Sequence, residues 1–242
     1  MIALTITILS VAIIAVTYVF LIMPRVTDGA DMDLQSTDYA YLGLWNEDTP
    51  KCSIKAFESA KAYGHGIAFP VVLSADKKLY AAAKDAPTLS EILSLVDGHV
   101  PLLIEIPTSN NANKLCKALC LTLDGYSGAF AIMSNNIQVL KFFKKYRPRY
   151  ARGQMLSHRN KGSQLPFKKR CSDFFKRHLF TNVITRPDFI VTDGSLINEP
   201  AFLLATKLFG RRGFIKNVKK QRQYAYCRER SLYTLFERIR PQ

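Results

Sequence analysis

Three carboxylates fall at the C-terminal ends of short apolar runs: Asp85, Glu105 and Asp193. Convergent carboxylates or histidines are what a hydrolytic centre uses to hold a divalent metal, so these are the first residues to weigh. The set is thin for that purpose. The four histidines, His65, His99, His158 and His178, show no metal-ligand spacing. His158-Arg159-Asn160 lies in the loop after the sixth expected strand and reads as a solvated basic loop. The five cysteines are odd in number and too sparse for a disulfide framework, so a reducing compartment fits best. Cys116 and Cys120 stand one helical turn apart, but no second ligand pair follows to make a zinc site.

The elements that would position these groups alternate along the chain. Short apolar runs predict strands at 39–43, 67–73, 79–83, 102–106, 129–133, 150–154, 189–192 and 213–215. Helical periodicity predicts helices at 53–63, 89–96, 112–123, 137–146, 167–178, 199–208 and 219–228. Ser53 is placed as an N-cap, and Thr88 with Glu91 three residues on spells a capping box. Gly64 and Gly210 sit where C-terminal caps belong. Eight strands mostly separated by helices predict an α/β chain folded as a (β/α)8 TIM barrel, which places chemistry at the C-terminal strand ends.

The 242 residues are 48% hydrophobic, enough for a sizeable core, which excludes a disordered chain. Charge is lopsided. Residues 1–120 hold 9 basic and 12 acidic side chains, whereas residues 121–242 hold 25 and 7. The stretch 141–177 alone carries 13 basic residues against Asp173. These side chains, among them Lys144, Lys145, Arg147, Arg149, Lys168, Lys169 and Arg170, read either as the solvated faces of two helices and a loop or as a surface for anionic lipid. No recognition motif or aromatic interleaving supports nucleic-acid binding.

Residues 1–24 carry no charged side chain. Twenty-two helical residues from Ile2 to Met23 would reach about 33 Å, enough for a hydrocarbon core of about 30 Å. A cleaved signal peptide would need a basic n-region, a shorter apolar stretch and a small-residue cleavage site, and none is convincing here. The expected organisation is a transmembrane anchor at 1–24, a polar linker at 25–38 and a barrel at 39–242. Arg25 after the span, with no basic residue before it, tips the barrel to the cytoplasmic side of a single-pass cell-membrane protein.

The order and wording of the segments resemble the glycerophosphodiester phosphodiesterase family, in particular bacterial members whose single N-terminal membrane helix ends in a sequence like Met23-Pro24-Arg25. The clearest stretches are PTLSEILSLVDGHVPLLIEI at 87–106 and KLCKALCLTLDGYSG at 114–128. Arg152-Gly153-Gln154 and Thr185-Arg186-Pro187-Asp188-Phe189-Ile190 continue the pattern. The resemblance covers essentially the whole chain. It implies a (β/α)8 barrel that cleaves glycerophosphodiesters to an alcohol and glycerol 3-phosphate, using a divalent metal such as calcium or magnesium.

The departures from that pattern fall on the chemistry. The family's His-Arg-Gly motif is replaced by Tyr41-Leu42-Gly43, which removes a catalytic histidine and a phosphate-binding arginine. The family's Glu-Asn before the first helix falls on Lys51-Cys52. The Glu-x-Asp metal ligands fall on Ala68 and Pro70, and the second catalytic histidine on Lys84. Glu105 matches the remaining metal-ligand glutamate, though the lysine expected two residues later is Pro107. Only Ala86 stands between Asp85 and Pro87, where the family carries a longer insertion over the active-site mouth.

Three readings follow. One is an inactive, membrane-anchored barrel, with no cofactor expected, that binds a ligand, a lipid or an unidentified protein partner. A second is a residual phosphodiesterase using Asp85, Glu105 and Lys84 in a new arrangement. The third is an electrostatic docking module with no functional pocket.

Overall fold

The computed structural model describes residues 1–22, 37–82, 85–156, 179–210, 212–239 and 241. Eight parallel strands close on themselves, each neighbour hydrogen-bonded to the next, with helices packed outside. The barrel strands are β1 (Tyr39–Tyr41), β2 (Gly66–Leu73), β4 (Leu102–Glu105), β5 (Phe130–Ser134), β6 (Ala151–Met155), β7 (Phe189–Asp193), β8 (Arg212–Val218) and β9 (Tyr233–Phe236). Closure runs through β1, which pairs with β2 on one side and β9 on the other. The chain is a TIM barrel, as its strand and helix pattern predicts.

One strand assignment is corrected. The run at 79–83 forms β3 (Leu79–Ala81), but β3 lies outside the barrel as the antiparallel hairpin partner of β2. The reason is length. Residues 74–78 are too few for a parallel crossover, which needs about a dozen residues. They turn tightly instead, with Ser74 N–H donating to the Lys78 carbonyl at 3.0 Å. The eighth barrel strand is β9, a four-residue segment behind a charged turn that the apolar-run pattern does not pick out.

The helices form where their caps and periodicity place them. Outside the barrel lie α2 (Ile54–Ala62), α3 (Leu89–Val96), α4 (Ala112–Leu123), α5 (Ile137–Tyr146), α6 (Asn182–Thr185), α7 (Pro200–Leu203, continued as a π-helix over Leu204–Leu208) and α8 (Gln221–Arg228). Ser53 caps α2 by accepting from Ala56 N–H, and Thr88 and Glu91 form the reciprocal capping box of α3. Gly64 and Gly210 take the positive φ that their end positions require. The helix expected at 167–178, together with His158, Arg159, Asn160, Lys168, Lys169 and Arg170, lies outside the described residues.

Two cores follow from strand alternation. Side chains facing outward, such as Ile67, Ile104, Ile132 and Ile190, pack under the helices. Side chains facing inward, including Tyr39, Leu103, Met133, Phe189, Phe214 and Leu235, fill the barrel itself. The interior alternates large and small: a Cβ on Gly153 would come within 2.1 Å of the Phe189 ring, and one on Gly66 within 2.6 Å of Tyr39. The barrel is therefore packed through its middle, and its C-terminal rim carries polar inward groups.

Ahead of the barrel runs α1 (Ile2–Ile22), a helix long and apolar enough to cross a membrane. Asp38, the last residue of the expected linker, is 5% exposed and bound into the barrel. Its Oδ1 accepts from Thr234 N–H at 2.7 Å and its Oδ2 from the Tyr224 hydroxyl at 2.8 Å. One carboxylate thus ties the start of β1 to β9 and α8, across the seam where the barrel closes.

Candidate functional site

The inward positions at the C-terminal rim are set by register. Pro70 on β2 lies opposite Glu105 on β4, Glu105 opposite Met133 on β5, and Asp193 on β7 opposite Lys216 on β8. Strand alternation sends Tyr41, Glu105, Asp193 and Lys216 to the same side of the sheet as the interior cluster, so they converge over the packed barrel.

Glu105 is the centre of the arrangement. Its Oε2 accepts from the Tyr41 hydroxyl at 2.7 Å and from the Lys216 ammonium at 2.8 Å. The pair is largely shielded, with side-chain exposures of 15% for Glu105 and 19% for Lys216. The same ammonium lies 4.2 Å from the centroid of the Tyr41 ring, within cation–π range. Burial, the Glu105 charge and the hydrogen bond to it together push the Tyr41 phenol well above its ordinary value. It stays protonated at neutral pH and acts as a donor to the carboxylate. Lys216 is the residue that sequence reasoning missed. The predicted strand stopped at Ile215, one residue short, although alternation from Phe214 already pointed position 216 into the mouth.

The other expected positions are distributed as follows. Ala68 is fully buried in the interior cluster and Pro70 sits beside Glu105, neither with a side-chain donor. Leu42 follows β1 with a positive φ of 67°, so the backbone turns there. Asp85 is exposed in a turn, and among the described residues no hydrogen bond or ion pair joins it to Glu105. Lys84 lies outside the described residues. Asp193 caps the short 3-10 turn Gly194–Leu196, its Oδ1 accepting from Ser195 N–H at 3.0 Å. On the rim nearby, Glu237 pairs with Lys219 at 3.6 Å and the Arg238 guanidinium lies 4.5 Å over the Trp45 ring.

A divalent cation of the kind the family uses needs several oxygen ligands converging at roughly 2.0–2.6 Å. The residues present do not fit one. Glu105 is engaged by two donors on the same oxygen, its strand neighbours offer no ligand, and no group of three or more His, Cys, Asp or Glu gathers among the described residues. His99 is turned to the Val96 carbonyl and His65 to the Phe236 ring, both away from the mouth.

The basic surface is also more engaged than its composition implies. Arg147 grips Asp124 with two guanidinium nitrogens, and Lys144 donates to the Ile184 carbonyl at 2.6 Å. Lys145 lies 5.0 Å over the Tyr146 ring.

A closed barrel of eight parallel strands with helices outside it, and a polar cluster at its C-terminal rim, is a TIM barrel. No protein-family model and no curated protein matches the sequence. Among solved structures, the chain is similar to a glycerophosphodiester phosphodiesterase from Parabacteroides distasonis, at 15% identity and a TM-score of 0.62 over 84% of this chain and 94% of that one. An Oleispira antarctica phosphodiesterase in complex with sn-glycerol-3-phosphate matches at 15% identity and 0.64, over 84% and 92%. A glycerophosphodiester phosphodiesterase from Agrobacterium tumefaciens matches at 14% and 0.60, over 84% and 96%. The chain has the glycerophosphodiester phosphodiesterase fold.

Proposed function

We propose that this chain is a membrane-anchored barrel of the glycerophosphodiester phosphodiesterase type that no longer cleaves phosphodiesters and serves as a ligand-, lipid- or partner-binding domain. The observation that carries the reading is the double engagement of Glu105 Oε2 by Tyr41 and Lys216. The one carboxylate that matches a family metal ligand has its charge balanced by an ammonium from the chain itself. A cation recruited there would have to displace Lys216 and then find ligands that Ala68 and Pro70 do not supply. With Tyr41 and Lys84 in the histidine positions, neither position supplies an imidazole to move a proton near neutral pH, help that is typically worth about 10²–10⁴ in rate.

Three features support a retained anchor: the length of α1, the absence of a cleavage signal, and the packing of its last turn on the barrel. A segment destined for removal would gain nothing from that packing. Arg25 favours a cytoplasmic barrel by the positive-inside rule.

The test is release of glycerol 3-phosphate from glycerophosphodiesters by the full chain, with calcium or magnesium supplied. No turnover attributable to the rim is expected. Metal-dependent release abolished by Glu105→Ala would sink the inactive reading and establish residual hydrolysis in its place.

A further inference from the structure

The last turn of α1 is where the barrel meets it. From Leu4 to Thr17 the helix is exposed, whereas Tyr18, Val19 and Leu21 are partly covered. Tyr18 meets Phe180 edge-on, 5.5 Å between ring centroids, and the Arg186 guanidinium lies 5.5 Å from the centre of the Phe20 ring. Phe180 and Arg186 flank α6. Aromatic residues at the end of a membrane-spanning helix sit at headgroup level. The barrel surface packed against them shares that level.

That surface is cationic. The Lys144 ammonium spends one of its three N–H groups on the Ile184 carbonyl of α6, which fastens α5 to α6. Lys141 stands one turn earlier on α5, and Arg186 follows the end of α6. Beneath them Arg152, 1% exposed, donates to the Pro148 and Tyr150 carbonyls. Partial burial, then Arg186, Arg152 and Lys141 in that order, holds the Lys144 ammonium below its ordinary pKa. Lys141, Arg152 and Arg186 thus all lie near enough to Lys144 for their charges to act on it. Among the described acids, Asp188 accepts from the Arg152 backbone N–H at 2.8 Å, and Asp124 holds Arg147 and Tyr150.

We propose that Lys141, Lys144 and Arg186, at the foot of α1, form a binding site for the phosphate of an anionic lipid headgroup in the leaflet on which the barrel rests. Lys141 and Lys144 supply point charges, and the Arg186 guanidinium supplies a fork matched to phosphate oxygens. Exposed Ile184 beside them offers apolar surface to the acyl boundary. The site rests on the reading of α1 as a retained anchor. It differs from the broad basic stretch in the sequence, because Arg147 belongs to Asp124 and the geometry selects two residues of α5 and one from the segment after α6.

The test uses the full chain in nanodiscs of phosphatidylcholine alone or of phosphatidylcholine with phosphatidylglycerol, read by amide hydrogen exchange. Phosphatidylglycerol should slow exchange at Ile137–Tyr146 and Asn182–Thr185 about threefold or more, by favouring the bound state. The Lys141→Gln/Lys144→Gln/Arg186→Gln variant should lose that slowing while its barrel strands stay protected, and Arg186→Lys should keep it. Equal exchange in the two lipids, or slowing that survives the triple variant, overturns the site. So does equal slowing by inorganic phosphate added to phosphatidylcholine discs, which would make the ligand a free anion. A chain that co-purifies with neither disc overturns the anchor instead, and the site falls with it.

Discussion

The Lys216 Nζ lies over the Tyr41 ring, 4.2 Å from its centroid, while both residues bind the same oxygen of Glu105. The three groups form one unit. Lys216→Met would leave the Glu105 carboxylate with a single donor in a shielded position. We expect a loss of about 1–3 kcal/mol, the cost of stranding a partly buried charge. The added change Glu105→Leu should recover most of it, because removing both charges removes the desolvation cost as well. Urea unfolding midpoints of the single and double variants decide this.

Divalent-metal binding should not appear when Lys216 alone is removed. Lys216→Ala clears the ammonium from Glu105 but adds no oxygen ligand, since positions 68 and 70 remain alanine and proline. Titration calorimetry with calcium and with magnesium should give no resolvable heat for either protein. A saturable isotherm in Lys216→Ala would show that Lys216 by itself keeps the metal out.

The seam of the barrel depends on Asp38. Asp38→Ala would leave Thr234 N–H and the Tyr224 hydroxyl without their shared acceptor, and we expect about 2–4 kcal/mol of destabilisation. Asp38→Asn keeps one carbonyl acceptor and should cost about half as much. Denaturant unfolding measures both.

Gly153→Ala places a methyl group where Phe189 already sits, so overpacking of about 1–3 kcal/mol is expected. Shortening the neighbour with Phe189→Leu should relieve part of that penalty. If the pair of changes is simply additive, the two residues do not compete for the same space.

Acid should loosen the α4–α5 corner. The Arg147 guanidinium, with the Tyr150 hydroxyl, holds the Asp124 carboxyl at about 2, below its unfolded value of about 3.9. A depressed folded pKa means that the clasp contributes fully above about pH 4 and is lost as pH falls through about 2. Both groups are exposed and screened, so the effect is small. Asp124→Asn should flatten this part of the acid limb in unfolding midpoints taken across that range.

The sequence carries the outer layers of this fold better than its mouth. Periodicity places α3, α4 and α5 at their observed bounds, because those helices have one clear apolar face, and a capping box marks the start of α3. The expected eight strands agree with the barrel in number but not in membership. The apolar run at 79–83 has a strand's pattern yet forms the hairpin partner of β2, and β9 is hard to see because four residues behind a charged turn carry little pattern. Glu105 was legible by its place at a strand end. Its partners were not: Tyr41 looked only like a lost histidine, and Lys216 became visible once β7 and β8 were in register. Contacts 64 and 111 residues apart are made by barrel closure and leave no local trace.

The positive charge that answers Glu105 is covalently part of β8. It cannot be chelated, exchanged for another ion or diluted away, and it reaches the carboxylate whenever the barrel is folded. A site built on a dissolved ion follows the supply of that ion. This one has its counter-charge encoded at a single codon, so the charge balance of the mouth is inherited with the chain and does not wait on the capture of an ion.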